Sequence, residues 1–233
     1  MPTLDRSLIS GLPNFAGLSG DDIDRILSLA RSSRYPKDSE IFSQDEEARS
    51  FHLLLSGHIR VVRTSPEGHQ VIARYINEGE FLGIAIAMGR TTFPATAVAA
   101  VDCVVLSWPN SAWPELQKSV PAFGAVAYQT MGSRLQDAQA QVMAMSTEQV
   151  EQRIAHAILR LIKQAGRKTV EGIEIDFPIS RQDLAEMTGT TLHTVSRVLS
   201  AWEDDGLVRG GRQKVTVADP HGLMLIAESR RRK

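Results

Sequence analysis

Apolar and polar positions change rhythm twice along this chain. The first stretch has a short helical pattern, with Ser19 placed to cap a helix carrying Ile23, Ile26, Leu27 and Ala30. After Pro36 the pattern becomes short and strand-like, at Glu40 to Ser43, Phe51 to Leu55, His58 to Thr64 and Gln70 to Ile76. Turn residues separate these runs, as in Ser65-Pro66-Glu67-Gly68. The segment Gly79 to Gly83 interrupts the rhythm, which resumes over Thr96 to Trp108. Many short strands at this spacing predict a β-barrel or sandwich, a shape that can enclose a pocket.

From about Ala122 to Met145 the rhythm is helical and narrow. Gly124, Tyr128, Met131, Leu135, Ala138, Val142 and Met145 alternate four- and three-residue steps. A helix of this span would be roughly 36 Å long. So strict a stripe suits a partner helix better than a broad core, which predicts a two-chain seam centred on Leu135, Ala138 and Val142. Ser146 and Gln149 have capping-box spacing and predict a hinge near Ser146. A further helix with Val150, Ile154, Ile158, Leu161 and Ile162 should follow and stop at Gly166. Thr169 to Phe177 reads as a hairpin turning at Glu171-Gly172.

The last third carries the most specific pattern. Ser180 and Asp183 predict a capped helix with Leu184 and Ala185 on its apolar face. Thr188-Gly189-Thr190 breaks it, with Gly189 suited to a positive φ. The next helix has two faces. Val195, Val198, Leu199 and Trp202 should face the core, while His193, Ser196, Arg197 and Ser200 lie opposite. A polar face near a helix N-terminus is what base-edge reading in a DNA groove requires. Arg209-Gly210-Gly211-Arg212-Gln213-Lys214 then predicts a cationic glycine turn before the strand Val215-Thr216-Val217. That is the pattern of a winged helix-turn-helix. Its expected DNA contacts are Arg181, Thr191, His193, Ser196, Arg197, Ser200 and Lys214.

Composition narrows the classes. The 233 residues suit two domains, and 42% hydrophobic with 23% charged residues is ordinary globular usage. A net charge of −1 means that DNA affinity must come from a local patch. The end of the chain supplies one, with Arg209, Arg212, Lys214 and Arg230-Arg231-Arg232-Lys233 against Asp219 and Glu228. The single cysteine, Cys103, allows no disulfide within the chain. The first residues lack a signal-peptide pattern and no apolar run approaches a membrane span, so a cytoplasmic protein without a membrane partner is expected. No paired acids in a glycine-rich cleft, metal-ligand spacing or nucleophile motif is visible, which argues against an enzyme. A protein-binding sensor that never touches DNA is the alternative, and it would leave Arg197 inert.

The chain resembles the Crp/Fnr family of bacterial transcription regulators. The most specific stretches are Gly79-Glu80-Phe81-Leu82-Gly83, Arg153-Ile154-Ala155, and Ile179 to Ala185 continuing to Thr194-Val195-Ser196-Arg197. The resemblance implies an α+β fold. A β-roll effector domain of the cyclic-nucleotide-binding jelly-roll type would span 1–120, a dimerisation helix 121–145 and a winged helix-turn-helix domain 146–233. It also implies a homodimeric activator on double-stranded DNA, with RNA polymerase as a further partner. The site would be an inverted repeat resembling TTG…CAA, since family members with a glutamate at the place of His193 read a different outer base.

Departures from the family pattern bear on the effector. Cyclic-AMP-binding members hold the ribose with a glutamate where this chain has Ile84. They neutralise the phosphate with an arginine-serine pair where it has Phe93-Pro94, with Thr96 and Arg90 nearby. Ala138-Gln139 stand where a threonine-serine pair meets the purine. These replacements argue against cyclic AMP. Cys103 alone cannot hold the iron–sulfur cluster of four-cysteine members. The remaining resemblance is to the nitric-oxide-responsive NnrR/Dnr type, carried by Phe93 to Ala97 and Thr190 to Arg197, with a regulator responding to another small ligand or a redox signal as the alternative. Haem is then a candidate cofactor, in an apolar pocket of Leu82, Ile84, Ile86, Met88, Phe93, Tyr128 and Met131. His52, His58, His69 and His156 are the candidate ligands.

Overall fold

The structure, a computed structural model, describes residues 4–229. The chain divides into two compact units, with the main change at Asp137–Ala138 and the short segment Gln70–Ile72 grouped with the second. The first opens with α1 (Ser7–Ser10) and α2 (Gly20–Ser28). Ser19 caps α2 as its sequence predicts: its hydroxyl accepts from the Asp22 N–H at 3.1 Å, and the Asp22 carboxylate accepts from the Ser19 N–H at 3.3 Å. Strands β1 (Arg31–Tyr35), β2 (Glu40–Phe42), β3 (Ser50–Ser56), β4 (Ile59–Thr64) and β5 (Gln70–Ile76) follow. Then come β6 (Phe81–Leu82), β7 (Thr96–Ala99), β8 (Cys103–Pro109), α3 (Trp113–Ser119) and the long α4 (Pro121–Thr147).

These strands form two four-stranded sheets, in the orders β1-β8-β3-β6 and β2-β7-β4-β5. The alternation along β3 shows how both faces of the first sheet are buried. Phe51 and Leu53 point to one side, where Ile23, Ile26, Leu27, Trp113, Leu116, Phe123 and Ala127 form a helix-side core. Leu54 points to the other, into a core shared with Phe42, Ile59, Ile76, Ala97 and Ala99 of the second sheet. The buried Trp108 indole donates to the Ile26 carbonyl at 2.8 Å, so the helix-side core leaves its N–H satisfied.

Two expectations about these strands fail for identifiable reasons. Arg31-Ser32-Ser33-Arg34-Tyr35 lacks apolar alternation and carries no strand signal in the sequence, and it becomes β1 by edge pairing with β8. The single run expected over Thr96 to Trp108 is broken at Ala100–Asp102, and its halves join different sheets.

The second unit begins within α4 and continues with α5 (Val150–Ala165), β9 (Gly166–Thr169) and β10 (Gly172–Ile175). Next are α6 (Arg181–Thr188), α7 (Leu192–Asp204), β11 (Val208–Gly211), β12 (Lys214–Val217) and α8 (Pro220–Ala227). The strands make an antiparallel sheet in the order β11-β12-β10-β9. Ser146 does not cap α5. It lies inside α4, donating to the Val142 carbonyl at 3.1 Å, and Gln149 with Gln152 forms the capping box instead.

The wing turn is also displaced from its expected place. Gly210 and Gly211 lie within β11, and the residue with positive φ is Gln213, at 58°. A Cβ on Gly210 would meet the carboxylate end of the Glu203 side chain. The basic tail Arg230 to Lys233 lies outside the described residues.

Candidate nucleic-acid interface and effector domain

The second unit builds its reading surface from local hydrogen bonds. Ser180 and Asp183 exchange them at 3.0 and 2.6 Å, which fixes the start of α6. Thr188 is buried and its hydroxyl donates to the Leu184 carbonyl at 2.6 Å. Gly189 then takes φ 62°, the left-handed region that glycine enters without strain. Thr191 caps α7 by accepting from the Thr194 N–H at 3.2 Å. Val195, Val198, Leu199 and Trp202 are buried beneath α7. Thr191, His193, Arg197 and Ser200 are exposed and Ser196 is half-buried, so the expected reading residues share one outward face.

Charges on this surface are unevenly available. Arg197 has no hydrogen-bond or ion-pair partner among the described residues, so its guanidinium is open to a base edge. Arg181 is held by Glu203 at 3.1 Å. Lys214 lies 3.3 Å from Glu174, which also binds Arg167 at 2.8 Å. The Arg167 and Lys214 hydrogen bonds hold the Glu174 carboxyl below its ordinary range. At the wing tip Arg212 has no such partner among the described residues. The sequence pattern puts Arg212 in the same cationic turn as Lys214, the contact expected there.

A further arginine organises this unit from behind. Arg153 Nε donates to the Thr188 carbonyl at 3.0 Å, and its Nη1 donates to the Glu148 carbonyl at 2.9 Å. It therefore joins α5, the end of α6 and the α4–α5 link.

The first unit does not gather the expected effector pocket. Leu82 and Phe93 lie in the core between the sheets, whereas Ile84 belongs to the helix-side core with Ile86 and Met131 packed against it. Met88 and Tyr128 are exposed, and the Tyr128 hydroxyl accepts from Gln117 at 3.1 Å. Leu82 and Phe93 thus belong to a different core from Ile84, Ile86 and Met131, and Met88 and Tyr128 lie at the surface. The space beside the Gly83 turn is filled by rings. Phe42 stacks on Phe93 with centroids 3.9 Å apart, and a Cβ on Gly83 would meet Phe42, Phe93 and His52 at 3.0–3.1 Å.

His52 is a buried member of that group. Its Nδ1 is 2.7 Å from the Ser107 hydroxyl and its Nε2 is 3.2 Å from the Ser50 hydroxyl. Burial pushes its pKa down to about 4, so the imidazole is neutral near pH 7. Sequence reasoning also missed Arg134. Its guanidinium donates to the Phe81 carbonyl, and burial followed by the nearby Arg74 cation lowers its pKa to about 10. Arg74 in turn binds Glu80 at 2.7 Å. A lone arginine on an exposed-looking helix carries no sequence signal for such burial.

The outward face of α4 retains its apolar stripe. Leu135 is 62% exposed and Val142 is 64% exposed, and Ala138 between them is exposed too.

Comparison with known proteins identifies both units. Residues 152–226 match the Crp-like helix-turn-helix domain, and residues 32–119 match the cyclic nucleotide-binding domain. The chain is 30% identical over 219 residues to the cyclic AMP receptor protein of Thermus thermophilus, covering 94% of this chain and 98% of that one. The chain belongs to the Crp/Fnr family. This Crp/Fnr regulator is also 25% identical to the nitrogen fixation regulation protein FixK of Azorhizobium caulinodans, over 82% of this chain and 78% of that one. In fold it is similar to FixK2 from Bradyrhizobium japonicum, with a TM-score of 0.74 at 21% identity, covering 84% of this chain and 96% of the other. It is thus a transcription regulator with a DNA-binding helix-turn-helix, and its relatives are regulators, not enzymes. Among the described residues no helix is long and apolar enough to cross a membrane.

Proposed function

We propose that this Crp/Fnr regulator acts as a cytoplasmic homodimer on an inverted repeat resembling TTG…CAA, contacting RNA polymerase from there. The observation that carries the proposal is the exposure of Leu135 and Val142, seven residues apart on α4. An apolar stripe at heptad spacing needs a cover, and a second copy of the same helix supplies one. Two-fold pairing would present two α7 helices, which matches a repeated half-site. Light scattering on the purified protein, paired with a gel-shift titration on the repeat, tests both parts. A monomer that still binds the full repeat with undiminished affinity would overturn the proposal.

The effector is proposed to be something other than cyclic AMP. The places where relatives of that type hold the ribose and phosphate carry Ile84 and Phe93, both buried in apolar cores. A phosphate brought there without a cation would be strongly disfavoured. Calorimetry with millimolar cyclic AMP should show no binding heat, and a saturable signal would refute this part.

The NnrR/Dnr-type reading, a nitric-oxide response through haem, requires an open axial ligand. The four candidate histidines differ in what they touch. Both His52 nitrogens are engaged by serines, His58 Nδ1 lies 3.1 Å from the Asn77 side chain, and His156 faces Glu148 at 3.6 Å. His69 is exposed in the β4–β5 turn, away from both cores. Support for that branch therefore comes from the sequence resemblance alone.

A further inference from the structure

We infer that Leu192 reads a thymine methyl group, which makes it a specificity-determining residue beside Arg197. This rests on the proposal that α7 enters a major groove. Leu192 is the first residue of α7 and is 48% exposed. Its neighbours on the outward surface, His193, Ser196, Arg197 and Ser200, all carry hydrogen-bonding side chains. Leu199, seven residues further along the same row, is buried. Val195 in the same turn is buried too, so Leu192 stands at the exposed N-terminal edge of the core-facing row, at the end that recognition helices present to bases.

A large apolar side chain among polar ones has one complementary partner in the major groove. The C5 methyl of thymine is the apolar group on a base edge there. Leucine has no donor or acceptor, so placing it over guanine, adenine or cytosine would cover polar atoms without replacing their bonds to water. Leu192 thus favours thymine and disfavours the other bases at the same position. The Thr191 cap fixes where Leu192 emerges, because its hydroxyl holds the Thr194 N–H one turn away.

The test uses a duplex that the full-length protein itself selects from a randomised pool. Each thymine of a half-site is then replaced in turn by deoxyuridine, which removes only the methyl. At one position the wild type should lose about fourfold in affinity per half-site, the equivalent of one buried methyl group. Leu192→Ala should bind the thymine duplex more weakly by a similar factor and show less than about a twofold effect of uridine there, closing a cycle between protein and DNA. Alanine favours helix and Leu192 lies outside the core, so the variant keeps its fold and its Arg197-dependent guanine preference. A wild type indifferent to uridine at every position, or a variant equally sensitive to it, overturns the inference. If the pool yields no enriched sequence, the inverted-repeat proposal itself fails. Enrichment without methyl sensitivity removes only the role of Leu192.

Discussion

Arg153 Nε donates to the carbonyl of Thr188 at 3.0 Å. Thr188 is the last residue of α6, and the turn through Gly189 to the Thr191 cap of α7 starts from it. The same guanidinium holds the Glu148 carbonyl, so one side chain satisfies two helix ends whose C=O groups lack partners within their helices. Arg153→Gln should therefore cost about 1–3 kcal/mol of stability in the DNA-binding unit, as hydrogen bonds to a charged group are lost. Operator affinity should fall with it. Denaturant titration and gel shift check the two effects, and an unchanged midpoint would show that the bonds contribute nothing net.

Arg197 is exposed and unpaired among the described residues, and its neighbours Ser196 and His193 share its face. Arg197→Ala should cost about 1–3 kcal/mol at a guanine position and flatten preference there. Because the residue packs against no core, stability should stay within about 0.5 kcal/mol. Competition gel shifts across the four bases at that position provide the measurement. Retained selectivity would mean that α7 does not dock through this face.

In the wing, two cations should behave differently. Lys214 is already paired with Glu174, whereas Arg212 has no partner among the described residues. Arg212→Ala should lower the slope of log affinity against log salt by about 0.9, the loss of one phosphate contact. Lys214→Ala should lower it by less, because binding a phosphate would first require leaving Glu174. Affinity titrations at several salt concentrations distinguish the two, and equal slopes would place both cations on the backbone.

The parts legible in the sequence are those set by neighbours in the chain. Ser180 with Asp183, Gly189, and the spacing of Val195, Val198, Leu199 and Trp202 all encode conformation within one or two turns, and each is found as expected. What escaped depends on partners far along the chain. Lys214 meets Glu174 forty positions away, and Arg134 meets the Phe81 carbonyl fifty-three away. The expected pocket failed for a related reason. Leu82 and Ile84 share a parity along the chain, but the positive φ of Gly83 turns the backbone between them and sends them to different cores. Gly210 reads as a turn residue in the sequence, yet it lies within β11.

His52 makes an acid-sensitive element of the first unit. Its folded pKa of about 4 lies below the ordinary 6.5, so the unfolded chain binds the proton more readily. Its contribution is complete above about pH 6.5 and is lost as pH falls towards 4, by at most about 3 kcal/mol. His52→Gln removes the titration while retaining a side chain that can bond Ser107. The difference in stability between wild type and variant, from chemical denaturation at several pH values, should shrink or change sign as pH falls from 7 to 4. A constant difference would show that His52 does not titrate between the folded and unfolded states.

Leu135 and Val142 give the assembly its sharpest test. Leu135→Glu would set two carboxylates facing each other across an apolar two-fold seam, where both desolvation and repulsion oppose pairing. On a single copy the same substitution is benign, because Leu135 is 62% exposed and glutamate forms helix well. The variant should therefore remain folded by circular dichroism, elute as a monomer and lose affinity for the inverted repeat. Loss of both together ties DNA binding to the pairing of α4 helices. A dimeric Leu135→Glu under light scattering would place the interface elsewhere on the molecule.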